Sequence, residues 1–226
     1  MGAAVLHLAG QVSGSARALH ANVTLASAIG RAAAARQAPC VFFASTVAVY
    51  APGPGPISED QPPQPGTDYG QSKWQAEKVL RHELSASGSH LTCLRIANVA
   101  GADALLGGGA GRRDGVVLDP VPGQNGPERS YIGPLTLARV VSALVVAALA
   151  RRIDLPDTLN IAQPGRVAMG DLLTAAGLDW RFGPPRPGVI ARVQVDTSRL
   201  QALTEVAPAT PAGLVAELAA LSGRWP

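Results

Sequence analysis

Apolar positions in this chain fall into short unbroken runs and do not alternate with polar ones. Residues 4–9 (AVLHLA), 40–44 (CVFFA) and 91–97 (LTCLRIA) are such runs, and continuous apolar stretches of this length predict strands covered on both faces. An alanine-rich stretch over 15–36, ending near Pro39, separates the first two. A run of strong helix formers over 69–87, among them Gln75, Ala76, Glu77, Lys78 and Leu80, separates the second from the third. Both predict helices. Strand, helix, strand, helix, strand at this spacing predicts right-handed crossovers and a parallel sheet. Residues 51–66 carry too many prolines and glycines for regular structure. The second half is less regular: a glycine-rich loop over 101–128, an apolar helix over 135–152, a short strand over 158–162, and short helices near Gly170 and at the C-terminus. Loops this long inside a compact fold predict the frame of a substrate cleft. No internal repeat is present.

Composition narrows the class. A chain of 226 residues, 47% apolar, can bury a full core, so one globular domain with a small lobe is expected. The net charge is +3 and the arginines are scattered, which argues against a nucleic-acid partner, because such binding needs clustered charge. Cys40 and Cys93 sit inside apolar runs and read as buried, reduced strand residues. His7, His20, His82 and His90 have no metal-ligand spacing with either cysteine, so no metal is expected. No apolar stretch approaches the ~18 residues a membrane span needs. The opening residues lack a basic segment and a cleavage site. A cytoplasmic protein is expected.

The chemistry concentrates in Ser45-Thr46-Val47-Ala48-Val49-Tyr50, the proline-rich loop, and Tyr69-Gly70-Gln71-Ser72-Lys73. Tyr69 and Lys73, four apart on a helix, share one face. A free tyrosine titrates near ~10 and is a poor acid–base group at neutral pH, whereas an ammonium beside it favours the phenolate. Thr46 ends the second strand, and the carboxyl ends of parallel strands are where ligands bind, so its hydroxyl can hold a substrate oxygen beside the tyrosine. An isolated Tyr-x-x-x-Lys occurs on any solvated helix face; the surrounding stretch is what distinguishes this one.

The stretch VFFASTVAVYA…ISEDQPPQPGTDYGQSKWQAEKVL resembles the active-site segment of the NAD-dependent epimerase/dehydratase family of extended short-chain dehydrogenases. The resemblance implies Thr46, Tyr69 and Lys73 as the catalytic trio. Lys73 would also hold the nicotinamide ribose. Leu6-His7-Leu8-Ala9-Gly10 is similar to the family's fourth strand, whose end, at Leu8 and Ala9, lies against the cofactor. Asn22 matches an asparagine that supports the site, a helix-interior or capping role being the alternative. Leu94-Arg95-Ile96-Ala97-Asn98-Val99-Ala100-Gly101 resembles a strand end where Asn98 faces substrate. Arg129 and Arg186 match arginines that hold the diphosphate of nucleotide sugars, as a planar fork suits paired oxygens; each also reads as an ordinary surface arginine.

The family's G-x-x-G-x-x-G turn, which receives the dinucleotide pyrophosphate on backbone amides, does not occur in the sequence. The expected fold is therefore an α/β, Rossmann-type doubly wound parallel sheet lacking its first three strands, with a small C-terminal substrate lobe. Residues 1–100 would form the partial dinucleotide-binding part, and 101–226 would complete the sheet and build the lobe. A start-site error, a truncation and a genuine deletion all remain open. Further departures loosen the tie to a nucleotide sugar: Gly133-Pro134-Leu135-Thr136 replaces a His-Val-x-Asp segment, Val189 an aspartate, and Ala51 a glycine. The expected activity is NAD- or NADP-dependent hydride transfer at a carbinol or carbonyl carbon, with epimerase, dehydratase and reductase outcomes open. The alternative is a non-catalytic remnant serving as a binding or scaffold module. An exposed edge strand at 4–9, with His7 as its only chargeable side chain, predicts a homo-oligomer or edge-to-edge association, or else a poorly folded chain, and dinucleotide binding that is weak or absent.

Overall fold

The computed structural model describes residues 3–107, 115–150 and 153–221. Its elements in chain order are β1 (Val5–His7), α1 (Ala16–Leu19), α2 (Ala21–Ala35), β2 (Cys40–Thr46), α3 (Asp68–Leu84), β3 (His90–Ile96), β4 (Asn98–Val99), β5 (Val116–Leu118), β6 (Glu128–Arg129), β7 (Tyr131–Ile132), α4 (Pro134–Leu149), β8 (Thr158–Ile161), β9 (Val167–Ala168), α5 (Met169–Ala175), β10 (Trp180–Phe182), β11 (Arg192–Val193), α6 (Ser198–Leu203) and α7 (Pro211–Leu221). A 3-10 turn, Val47–Val49, follows β2.

Two compact units emerge. The first holds the chain up to Ala51, Glu59–Ile96 and Val141–Asn160; the second holds Pro52–Ser58, Ala97–Val140 and the chain from Ile161. In the first, a four-stranded sheet runs in the order β1-β2-β3-β8. β2 pairs in parallel with β1, Val5 opposite Val41, and with β3, Cys40 opposite His90. The apolar runs at 40–44 and 91–97 become the strands β2 and β3, buried along almost their whole length. On one face Val41, Phe43, Leu91 and Cys93 meet Ala26 and Ala33 of α2 and Ala76, Leu80 and Leu84 of α3. Alanine on the buried stripe lets these helices approach closely, and Gly30 shows how closely: a Cβ there would lie 2.7 Å from the Glu83 Cβ. Cys40 and Cys93 are buried and free.

The single helix expected over 15–36 is divided at His20, with Ser15 accepting from Ala18 N at the first cap. Strand β1 is shorter than the apolar run suggests. It is an outer strand of the described sheet, with Leu6 and Leu8 exposed. His7 does not place a charge on that edge. It is buried against the Phe43 ring, centroids 5.2 Å apart, and burial, with the nearby Lys73 ammonium, pushes its pKa below the usual histidine value.

The second unit is assembled from two- and three-residue strands too short for any periodicity to reveal. β4 pairs with β7, β5 with β10, and β6 lies between β11 and β9. Its core comprises Ala100, Leu118, Tyr131, Val167, Leu172, Leu173 and Leu214. The loop expected over 101–128 thus contains a strand, and its glycine run beyond Gly107 lies outside the described residues, as does position 152, where helix α4 was expected to end. At Gly133-Pro134-Leu135-Thr136 the structure gives a physical account of the departure from the family. The Glu217 carboxylate of α7 accepts from the Thr136 N–H at 2.9 Å and from its hydroxyl, capping the first turn of α4 from outside, where Gly133 has no side chain to offer.

Candidate active site

Helix α3 begins where Thr67 accepts from the Gly70 N–H at 3.1 Å, with Asp68 in the first turn and Arg81 and His82 in the last, matching the helix dipole at both ends. Its first turn lies directly on the turn that follows β2. A Cβ at position 70 would fall 2.1 Å from the Ala48 carbonyl oxygen and 3.1 Å from Pro65 Cβ, so only glycine permits the approach. Gln64 N–H, donating to Val49 O at 2.9 Å, fixes the end of the proline-rich loop against the same turn. That contact brings Tyr69 to Thr46.

Thr46 closes β2 as the cap of the 3-10 turn, its Oγ1 accepting from Ala48 N–H at 3.2 Å. Its side chain lies beside the Tyr69 phenol, close enough to act on its titration. Burial raises the Tyr69 pKa, and the Thr46 side chain offsets part of that rise. The expectation that Lys73 depresses the phenol gives way to burial, which is the larger influence and favours the protonated tyrosine. Lys73, one turn on, is 4% exposed. Its Nζ lies 4.3 Å from the Phe43 ring centroid. Burial pulls its pKa down to about 8, against the raising effect of Glu77.

That depression has a consequence for stability. Below pH 8 the folded chain carries the ammonium against a burial penalty that the unfolded chain escapes. Between about 8 and the ordinary 10.5, the unfolded chain keeps a proton that the folded chain has released, so this group's contribution to stability rises with pH through that window. At about 1.4 kcal/mol per pH unit, the penalty is roughly 3 kcal/mol. Lys73→Met is therefore expected to raise Tm at pH 7, with the gain shrinking by pH 10. Equal gains at both pH values would contradict the assignment.

Asn22 is neither a cap nor a bystander. It is buried, accepts from Gln11 N–H at 2.7 Å, and donates to Gln11 O and to Ser72 Oγ, both at 2.9 Å. Ser72 in turn donates to Tyr69 O at 2.8 Å. The loop after β1 is thus clamped to the first turn of α3, with Gly10 at the junction: a Cβ there would lie 2.8 Å from Asn22 Oδ1 and 3.6 Å from Lys73 Nζ. Leu8, Ala9 and Gly10 form an exposed, largely apolar strip beside the buried Lys73. A ribose and a flat ring need such a surface, and the residues fit a nicotinamide nucleotide. The sequence showed Ser72 only as a member of the Tyr69–Lys73 motif and gave it no role, since a serine at that place carries no signal of its own.

The remaining candidates lie in the second unit. The Asn98 backbone N–H donates to Ser130 O at 3.3 Å, and its strand pairs with the one that holds the buried Tyr131. Arg129 donates to Glu128 O at 2.8 Å and to Ile190 O at 2.9 Å. Arg186 donates through Nε to Asp119 Oδ1 at 2.8 Å and is itself exposed. Neither arginine's fork is idle: one is committed to backbone carbonyls and the other to a carboxylate. In the same unit, Val121, Gln124, Asn125, Glu128, Asp171 and Phe182 line a cavity of about 570 Å³.

Residues 2–117 match the family described as NAD dependent epimerase/dehydratase. The chain belongs to that family. Among curated proteins, it is similar to UDP-glucose 4-epimerase of Azospirillum brasilense, 50% identical over 64 residues that make up 28% of this chain and 18% of the relative. It is also similar to UDP-glucose 4-epimerase of Corynebacterium glutamicum, 37% identical over 89 residues, 39% of this chain and 27% of the relative. The matched stretches therefore span about a fifth to a quarter of those relatives. Among solved structures, UDP-glucose 4-epimerase from Brucella ovis in complex with NAD superposes with a TM-score of 0.79 at 21% identity, covering 94% of this chain and 75% of that one. MoeE5 in complex with UDP-glucose and NAD gives 0.77 at 20% identity, covering 98% and 79%. At these identities the likeness establishes a Rossmann-type fold for this family member. No helix among the described residues is long and apolar enough to cross a membrane.

Proposed function

We propose that this chain carries the catalytic centre of an NAD-dependent nucleotide-sugar epimerase. The observation that carries the reading is the close packing of the first turn of α3, which carries Tyr69, on the turn that follows Thr46 at the end of a parallel strand, with Lys73 buried one turn further along α3. Tyr69, Lys73, Asn22 and the strip at Leu8 and Ala9 would hold the nicotinamide end of NAD, which, when bound, accepts a hydride from the sugar carbon and returns it. Thr46 Oγ1 holds the sugar hydroxyl by a hydrogen bond and aligns it on the phenol. Tyr69 takes the hydroxyl proton as the carbinol is oxidised and gives it back as the carbonyl is reduced. Burial favours the phenol, so base action requires positive charge close by. Lys73 supplies it below about pH 8.

The substrate class rests on the second unit and on what the relatives are named for. Arg129 and Arg186 serve as diphosphate ligands by exchanging their present acceptors for phosphate oxygens. UDP and UDP-glucose at millimolar concentration are accordingly expected to raise the melting temperature, and Arg129→Met and Arg186→Met each to reduce that rise. Should neither compound move Tm, the nucleotide-sugar assignment fails and a small carbonyl substrate takes its place.

A further inference from the structure

The stretch LTCLRIA places an arginine in an apolar strand, and α3 turns a glutamate toward the core; the function proposed above uses neither. Arg95 is 3% exposed and Glu77 is fully buried. Arg95 Nε and Nη2 donate to the two Glu77 oxygens at 3.1 and 2.9 Å. The Ser45 hydroxyl donates to Glu77 Oε1 at 2.5 Å. Arg95 Nη1 donates to the Tyr50 hydroxyl at 2.8 Å, and Tyr50 donates to Asn160 Oδ1 at 3.0 Å. One buried network thus joins α3, the end of β2, β3, the turn after β2 and β8.

Its placement relative to the candidate centre is specific. Ser45 is the residue before Thr46, and Glu77 follows Lys73 by one helical turn and Tyr69 by two, on the same face. The Glu77 carboxylate therefore grips both elements that deliver the trio: β2, which carries Thr46, and α3, which carries Tyr69 and Lys73. A buried ion pair is weak evidence for a stability role, since apolar replacements of such pairs are often neutral or stabilising.

We propose that Glu77, held by Arg95 and Ser45, is a positioning residue for the centre, fixing Thr46 and Lys73 in one register and supplying the negative charge that keeps Lys73 an ammonium. This rests on the catalytic reading of the trio only for its purpose; the placement itself is independent of that reading. The groups facing Lys73 are His7 from β1, Phe43 from β2, Cys93 from β3 and Glu77 from its own helix. Burial pushes His7 down and the Cys93 thiol up, so both are held uncharged. Glu77, with Arg95 behind it, is the charged neighbour.

Lys73 and Lys78 are the only lysines in the chain, so Lys78→Arg leaves a single lysine side chain for ¹³C NMR titration. In that background, Glu77→Gln/Arg95→Met removes both members of the pair without stranding a charge. Its Lys73 midpoint is expected about half a pH unit or more below that of the parent. Glu77→Asp keeps the charge and is expected to hold the midpoint near the parent value, a rescue that a purely structural role would not produce. If the double variant does not fold, Glu77→Gln alone carries the measurement with the same expectation. An unmoved midpoint in a folded variant overturns the proposal, as does failure of both variants to fold, which would make the pair a requirement for folding alone. Because the readout is a titration, an inactive chain still answers; loss of the catalytic reading would register separately, in turnover.

Discussion

Replacing Tyr69 with phenylalanine is expected to lower turnover of a UDP-hexose by about two to four orders of magnitude, the usual contribution of one positioned acid–base group. The change removes a single hydroxyl. Folding should therefore alter by no more than about 1 kcal/mol, the usual worth of one hydroxyl's hydrogen bonding. Affinity for UDP should be unchanged, because the phenol is assigned to proton transfer and not to the diphosphate. The loss belongs in kcat and kcat/KM together, which is the pattern of an interaction made in the transition state. Steady-state kinetics with NAD present, paired with urea denaturation, separates the two quantities. Turnover within twofold of wild type would remove Tyr69 from the mechanism.

The second large effect is structural. Gly70→Ala adds one methyl group at a point where it would sit 2.1 Å from the Ala48 carbonyl oxygen. That carbonyl belongs to a turn fixed on both sides, by the Thr46 cap on Ala48 N–H and by Tyr50 N–H donating to Val47 O at 3.0 Å. Neither the turn nor the first turn of α3 can retreat without breaking these bonds or the Thr67 cap. A cost above about 3 kcal/mol is expected, at the high end for overpacking. In any fraction that folds, Tyr69 should be displaced from Thr46 and turnover lost with it. Urea titration reads the first effect; a variant within 1 kcal/mol of wild type would show that the helix does not approach the turn as described.

How much of this could be read from the residues depends on how far apart the interacting parts lie in the chain. Strands β2 and β3 were legible because burial on both faces demands continuous apolar runs. The Thr46, Tyr69 and Lys73 segment was legible because its parts lie within 28 positions and carry a family pattern. The pairing of Val116–Leu118 with Trp180–Phe182 was not, as three residues give no period and the partner lies more than sixty positions away. The tie between Arg186 and Asp119 is likewise long-range. His7 read as a charge on an edge strand, and its actual state followed only from the ring of Phe43 and the ammonium of Lys73 beside it. The buried Glu77–Arg95 pair left a trace, a lone arginine in an apolar strand. Composition alone could not say which acid would meet it.

The central claim, that Thr46, Tyr69 and Lys73 form a proton-transfer centre serving hydride transfer on a nucleotide sugar, is tested most directly by following a labelled carbon. The curated relatives are named for action at carbon 4. UDP-glucose carrying deuterium at C4 would be incubated with the protein and NAD and followed by NMR. The account predicts UDP-galactose with deuterium retained at C4, because the hydride that leaves that carbon returns to it, and no product with Tyr69→Phe. Recovery of unchanged UDP-glucose from a protein with NAD bound would contradict it.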